Sequence, residues 1–412
     1  MIIWLQGGPG SSCAIGIFDE HGPFKLIQSN NDEKQVLRLV PRLNPLCEHM
    51  AVLYVDNPVG VGFSFTENLE NGLVRNCHHD VGRDLYSVVL QFFKLFPEYT
   101  DNPFWIAGES YGGKFATTLA YWIHTNSTRR TTNSRSNTTD NNDQMITTIP
   151  NNINLAGIMI GSGFIDAPNM LKFGDHLYHN GLIDLAQREH FYKEESKIAK
   201  HLSAKETLPA LMIFDELIYG EIRNVHSYFH KVTGLQTWFN FKIKPRNDNY
   251  YLRYLQQPSV VCALHVGSDR KFNELNQGKS SVKQMLPDMF NSVGQLIDLL
   301  LVEGYRFLFW NGNFDLMVPP NKIENFIINS LKQWKKSNQF YSAKKNFLKL
   351  SCQKMSKDKE ETEADDEVDG YVKQVDNLTV AVIRDAGHLC PMDKTEVIVS
   401  LMTKFVKEEK LF

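Results

Sequence analysis

Short apolar runs alternate with amphipathic ones along most of the chain. The runs at 51–58 (AVLYVDNP), 104–110 (FWIAGES), 153–163 (INLAGIMIGSG), 305–315 (YRFLFWNGNFD) and 377–388 (NLTVAVIRDAGH) have the length and bounding residues of strands. Between them, 84–96, 113–124, a stretch near 321–336 and 393–407 space their apolar residues as helices do. Strand, helix, strand, helix predicts a parallel sheet with helices packed on it. From about 168 to 257 the pattern turns helical and polar, and PSVVCALHVG at 258–267 is apolar again. That interval is expected to be a lid, 168–257, inserted between two parts of a sheet core at 1–167 and 258–412. Residues 125–152, rich in Asn, Thr, Ser and Arg, and the acidic run 356–369 hold too little apolar surface to pack and are expected as surface loops.

Composition narrows the classes. Of 412 residues, 42% are hydrophobic and 22% charged, which supports a large buried core and excludes wholesale disorder. The net charge of −3, from 44 basic and 47 acidic residues, provides no field to hold nucleic acid or an anionic membrane. No apolar run is long enough to span a bilayer. The six cysteines, at 13, 47, 77, 262, 352 and 390, include no C-x-x-C pair, so zinc knuckles and thioredoxin chemistry are not expected, and disulfide pairing stays open. Glycosylation sequons stand at Asn126, Asn137 and Asn377. Met1 runs at once into an apolar strand with no leader pattern, so the sequence is expected to begin inside a longer protein.

Chemistry is concentrated where strands end. Gly108, Ser110 and Gly112 form G-x-S-x-G between a strand and a helix, the setting of a nucleophile elbow. In an α/β-hydrolase fold the acid and the histidine follow the serine on loops after later strands, and Asp315 and His388 end two such strands in that order. Asp56 precedes the serine, and Asp385 lies too close to His388 to be the first choice. A serine nucleophile also needs donors for an oxyanion. Tyr111, the residue after the nucleophile, supplies one backbone N–H, and the QGGPG loop at 6–10 is placed to supply another. No phosphate-binding pattern follows that loop.

WLQGGPGSS, EHGPF at 20–24, DNPVGVGFSF at 56–65, GESYGGKF at 108–115, NGNFD at 311–315 and AGHLCPMD at 386–393 together resemble the serine carboxypeptidases. The Gln in WLQGGPG and HVG at 265–267 look most like the vitellogenic-like branch of that family. The resemblance covers nearly the whole chain and implies hydrolysis of the C-terminal peptide bond of peptides, with no cofactor or metal. It implies Ser110 as nucleophile, His388 as general base and then acid, and Asp315 as the group holding the imidazole. Gly8 and Tyr111 would form the oxyanion hole. Gln6, Gly7, Glu20 and Glu109, supported by Trp4, would bind the substrate's free carboxylate. Two facing carboxyls can bind a third only by sharing a proton, so acidic pH should favour binding, consistent with a lysosomal or secreted location.

This chain departs from the family in places. Gln6 stands where many relatives have Asn, Ser11 replaces a common cysteine, and the expected lid contains no cysteine. Amino-terminal edge strands and a signal that relatives carry are not represented before Met1, which predicts an unpaired sheet edge. An acyltransferase or esterase using the same triad, and an idle member that binds a partner, are the alternative readings. Glu20, Glu109 and Gln6 favour the peptidase. A homodimer is left open.

Overall fold

The computed structural model describes residues 1–29, 36–67, 74–133, 153–243, 249–267, 271–272, 279–350 and 368–411. Ten strands appear among them: β1 (Ile2–Leu5), β2 (Phe24–Ser29), β3 (Val36–Pro41), β4 (Val52–Tyr54), β5 (Phe104–Glu109), β6 (Leu155–Gly161), β7 (Arg306–Gly312), β8 (Asn346–Leu348), β9 (Gly370–Val375) and β10 (Leu378–Ile383). Eight make one sheet in the order β4-β1-β5-β6-β7-β10-β9-β8, while β2 and β3 pair separately as an antiparallel hairpin. All neighbours from β4 to β10 are parallel, and the β10–β9 and β9–β8 pairings are antiparallel, so β9 alone runs against the rest of this sheet. The expected mostly parallel sheet is present, with β4 at its edge.

Alternation along the strands divides the core. Ile3, Leu5, Phe104, Ile106, Ile158, Ile160, Phe307 and Phe309 face one side, where Phe115, Leu119 and Ile123 of helix α2 join them. Ile2, Trp4, Trp105, Ala107, Met159, Leu308 and Trp310 face the other, against Ile398, Leu401, Met402 and Phe405. Strands buried on both faces read as continuous apolar runs, which is why β1, β5 and β7 stood out in the sequence. Each fully buried Phe, Leu or Ile contributes roughly 1.5–3 kcal/mol. The helices flanking the sheet are α1 (Gly82–Leu95), α2 (Gly112–Asn133), α3 (Gly294–Val302), α4 (Pro320–Ser330) and α5 (Thr395–Val406).

The structure differs from the sequence reading in three places. Residues 258–267 do not reopen the sheet: Pro258–Ala263 is a helix begun by its proline, Val260 packs with the cluster of Ala14, Phe18, Tyr251 and Leu255, and the sheet resumes only at Arg306. A short apolar run has no period that separates a strand from a buried helix. Helix α2 continues to Asn133, into the stretch read as a loop from 125. Thr125 Oγ1 and Ser127 Oγ donate to the carbonyls of Tyr121 and Ile123, both at 2.9 Å, so these polar residues are satisfied on the helix itself. The rest of that stretch and nearly all of the acidic run lie outside the described residues.

The third difference is that α4 stops at Ser330 rather than running to 336. The buried Asp298 on α3 turns the chain there, accepting the N–H groups of Lys332, Gln333 and Trp334 at 2.9, 2.8 and 2.9 Å. Five described cysteines, 13, 47, 77, 262 and 390, are unpaired. Replacing Asp298 by Ala would orphan three donors and should lower unfolding stability by about 2–3 kcal/mol, read as a lower urea midpoint at unchanged slope.

Candidate active site

Loops leaving the C-terminal ends of the parallel strands converge at one place. The chain goes from β1 outward to β4, then returns to β5 on the other side, so the topology reverses between β1 and β5, where open α/β sheets bind ligands. Gln6, Gly7 and Gly8 follow β1, and Ser110 and Tyr111 follow β5. Leu5 pairs with Gly108, which sets Gln6 beside Glu109.

Ser110 occupies left-handed backbone at φ +56°, a conformation that costs a non-glycine residue about 1–2 kcal/mol. Its N–H donates to the Gly161 carbonyl at 2.8 Å and its carbonyl accepts from Gly113 and Phe164, both at 3.1 Å. Sterics force the neighbouring glycines. A side chain at Gly112 would strike the Leu5 carbonyl, and one at Gly7 would come within 2.6 Å of the Glu109 carbonyl and 2.8 Å of Ser110 Cβ. The Gly8 and Tyr111 backbone N–H groups donate to no other group among the described residues, and both residues line one cavity with Ser110.

Asp315 is fully buried. Its Oδ1 accepts from the N–H groups of Met317 and Val318 at 2.7 and 2.9 Å, and its Oδ2 faces His388 Nδ1 at 2.8 Å. His388 Nε2 is buried with no hydrogen-bond partner among the described residues, and no bond joins it to Ser110 Oγ in the structure. Both residues line one cavity of about 910 Å³. Such contacts commonly tighten when substrate arrives. Neither rejected acid is near this pair's work: Asp56 accepts from Ser12 Oγ at 2.5 Å and from Cys13 N and Phe63 N, each at 3.0 Å, while Asp385 faces Lys242 at 3.7 Å.

Beside Ser110, Trp4 Nε1 donates to Gln6 Oε1 at 2.8 Å. An indole only donates, so it turns the amide and points Nε2 at the two acids, Glu109 Oε2 at 3.0 Å and Glu20 Oε1 at 3.3 Å. Both acids are fully buried. Burial raises Glu20 from 4.5 to about 7. Burial and the facing Glu20 carboxyl push Glu109 well above its ordinary range. The folded protein therefore holds a proton here that the unfolded chain releases, so this pair favours folding fully below pH 4.5 and loses that contribution as pH climbs toward about 7.

The sequence did not reveal the segment that backs the histidine. Phe239 lies parallel to the His388 ring, centroids 5.1 Å apart and planes 8° from parallel, and its carbonyl accepts the His388 N–H at 2.6 Å. Trp238 O accepts from Leu316 N at 3.0 Å, and Asn240 Nδ2 donates to Asp393 Oδ2, which also takes the Gly387 N–H. Residues 238–240 thus clasp both the Asp315 and the His388 loops. The aromatic triplet TWFNF at 237–241 was the available signal, but nothing local says what it faces.

The sequons fare unevenly. Asn377 Nδ2 gives its protons to the Leu301 and Tyr305 carbonyls at 2.9 and 2.7 Å, and Thr379 is buried, so a glycan there would replace one of those protons and break its bond. Asn126 sits on α2 and donates to the Trp122 carbonyl at 2.8 Å. Asn137 lies outside the described residues.

Together these features define an α/β-hydrolase with a serine, histidine and aspartate gathered at its switch point. The solved structure of a prohormone-processing carboxypeptidase from Saccharomyces cerevisiae has the same fold, with a TM-score of 0.75 at 21% identity, matching 99% of this chain and 83% of that one. The chain belongs to the serine carboxypeptidase family, whose model matches residues 1–408. Its relatives include the human probable serine carboxypeptidase CPVL, 32% identical across 98% of this chain and 76% of that protein. The venom serine carboxypeptidase of Apis mellifera is 34% identical across 98% and 77%, and the vitellogenic carboxypeptidase of Aedes aegypti 32% identical across 100% and 78%.

Phe239→Ala should lower kcat about three- to tenfold with little change in KM, as expected for losing one aromatic stack, whereas Phe239→Tyr should restore it. Steady-state kinetics on a blocked dipeptide would read both.

Proposed function

We propose that the cavity hydrolyses the C-terminal bond of peptides through an acyl-enzyme on Ser110. The observation that carries this reading is that a strained Ser110 and an Asp315-held His388 line one cavity with Glu109, which the Gln6 amide joins to the buried Glu20. The Ser110 hydroxyl attacks the last peptide carbonyl while His388 Nε2 takes its proton, and Asp315 keeps the Nδ1–H tautomer and stabilises the imidazolium. The oxyanion is placed against the Gly8 and Tyr111 N–H groups. The intermediate collapses by breaking the C–N bond as His388 protonates the leaving amine. Water, deprotonated by the same ring, then releases the acyl group and regenerates Ser110.

The free carboxylate of the substrate is placed at Gln6, Gly7, Glu20 and Glu109, with Trp4 orienting the amide. One proton between the acids lets them face a third carboxylate, and its loss would leave two anions to repel it. The site therefore suits an acidic compartment, lysosomal or secretory. Among the described residues no helix is long and apolar enough to cross a membrane. The segment 168–257 is proposed as the lid, between the core parts 1–167 and 258–412, since Trp238 and Phe239 within it line the cavity.

On a blocked dipeptide, Ser110→Ala should abolish turnover, and Asp315→Asn should reduce kcat about 10⁴-fold. KM should rise as pH passes through about 7, the value to which Glu20 is raised. Glu109→Gln, which cannot ionise, should flatten that rise. A wild-type KM constant from acidic to alkaline pH would remove the shared proton from the mechanism.

A further inference from the structure

The cavity carries a charge asymmetry that the reaction does not require. Among the described residues that line it, Asp19, Glu109, Glu221 and Asp393 are acids, and none is Lys or Arg. Three of the acids belong to arrangements already described or adjoining them: Glu109 to the proton-sharing pair, Asp393 to Asn240 and Gly387, and Asp19 to the wall beside Glu20. Glu221 meets the Tyr219 hydroxyl and belongs to none of these arrangements. It forms no ion pair among the described residues, and Arg223, two positions on, faces Asp215 at 3.3 Å and Glu216 at 2.8 Å instead. Glu221 is exposed at the cavity, and partial desolvation still lifts its carboxyl above the ordinary range while the Tyr219 hydroxyl against it acts the other way.

Tyr219, whose hydroxyl meets Glu221, has the Phe214 ring at 5.9 Å and the Trp238 ring at 5.3 Å between centroids, and all three rings line the cavity. An aliphatic stem packs on such a surface while its cationic head meets the carboxylate, which describes a Lys or Arg side chain. Ring contacts locate the wall. From His388 they run to Phe239 at 5.1 Å, on to Trp238 at 5.3 Å and to Tyr219 at 5.3 Å, two residues before Glu221. Gln6 and Glu109 stand instead at the ends of β1 and β5. With the terminal carboxylate at Gln6, the acyl half of the peptide extends past Ser110 toward the lid wall.

We propose that Glu221 selects a Lys or Arg side chain at the penultimate position of the peptide, on the acyl side of the bond that is cut. The inference rests on the carboxypeptidase reading above and adds its substrate class.

The test is a set of blocked dipeptides X-Leu with X as Lys, Arg, norleucine or Glu, and a second set Leu-X in which the released residue varies. For the wild-type protein, kcat/KM for X as Lys should exceed that for norleucine by about tenfold in the first set. Glu221→Gln should bring the ratio close to unity, and Glu221→Lys should turn it toward Glu. Each ratio is read within one variant, so a general loss of activity cancels. Failure to cleave any member would count against the carboxypeptidase reading itself. Cleavage of norleucine-Leu with no advantage for Lys, a Lys preference untouched in Glu221→Gln, or a preference confined to Leu-X would each overturn the role given to Glu221.

Discussion

Backbone crowding at the turn from β5 into α2 is the constraint on which the rest depends. Ser110 is held at φ +56° because the Leu5 carbonyl and the β1 loop press against the turn from one side and β6 holds its N–H from the other. That arrangement requires glycine at 7 and 112 and exposes one hydroxyl at the end of the sheet. It also ties the first strand of the chain to the fifth, so Gly8, Tyr111 and the acid pair arrive together with Ser110.

A second constraint follows from burial. Asp315 satisfies two backbone donors as well as the imidazole, so its position is determined by its own loop and not by His388 alone. Glu20 and Glu109 are treated differently: one amide bridges them, and burial makes the charged forms costly. The same low-polarity surroundings thus push the two glutamates toward their protonated forms, while the Asp315 oxygens are occupied by N–H donors. What separates them is the number of N–H donors within reach.

The chain between β6 and β7 supplies what the sheet does not. Its segment 238–240 crosses the loops of two different strands and closes the back of the imidazole. The Tyr219 and Trp238 rings beside it line the same cavity, so the stretch that backs the imidazole also shapes the space around Ser110.

By itself the sequence determined the parallel sheet, the elbow, and the order of serine, aspartate and histidine, because each is written in a local pattern: buried strands as apolar runs, glycines where side chains cannot fit, chemistry at strand ends. It also placed Gln6, Glu20 and Glu109 through family resemblance. It misjudged 258–267, where a short apolar run fits strand and helix alike, and it was silent on β8 and β9, on the turn built by Asp298, and on Phe239. Those were decided by tertiary structure, since each depends on partners tens to hundreds of positions away. A stack on His388 from residue 239, or three N–H groups converging on one buried carboxylate, has no local signature, because the interaction does not exist until the chain has folded.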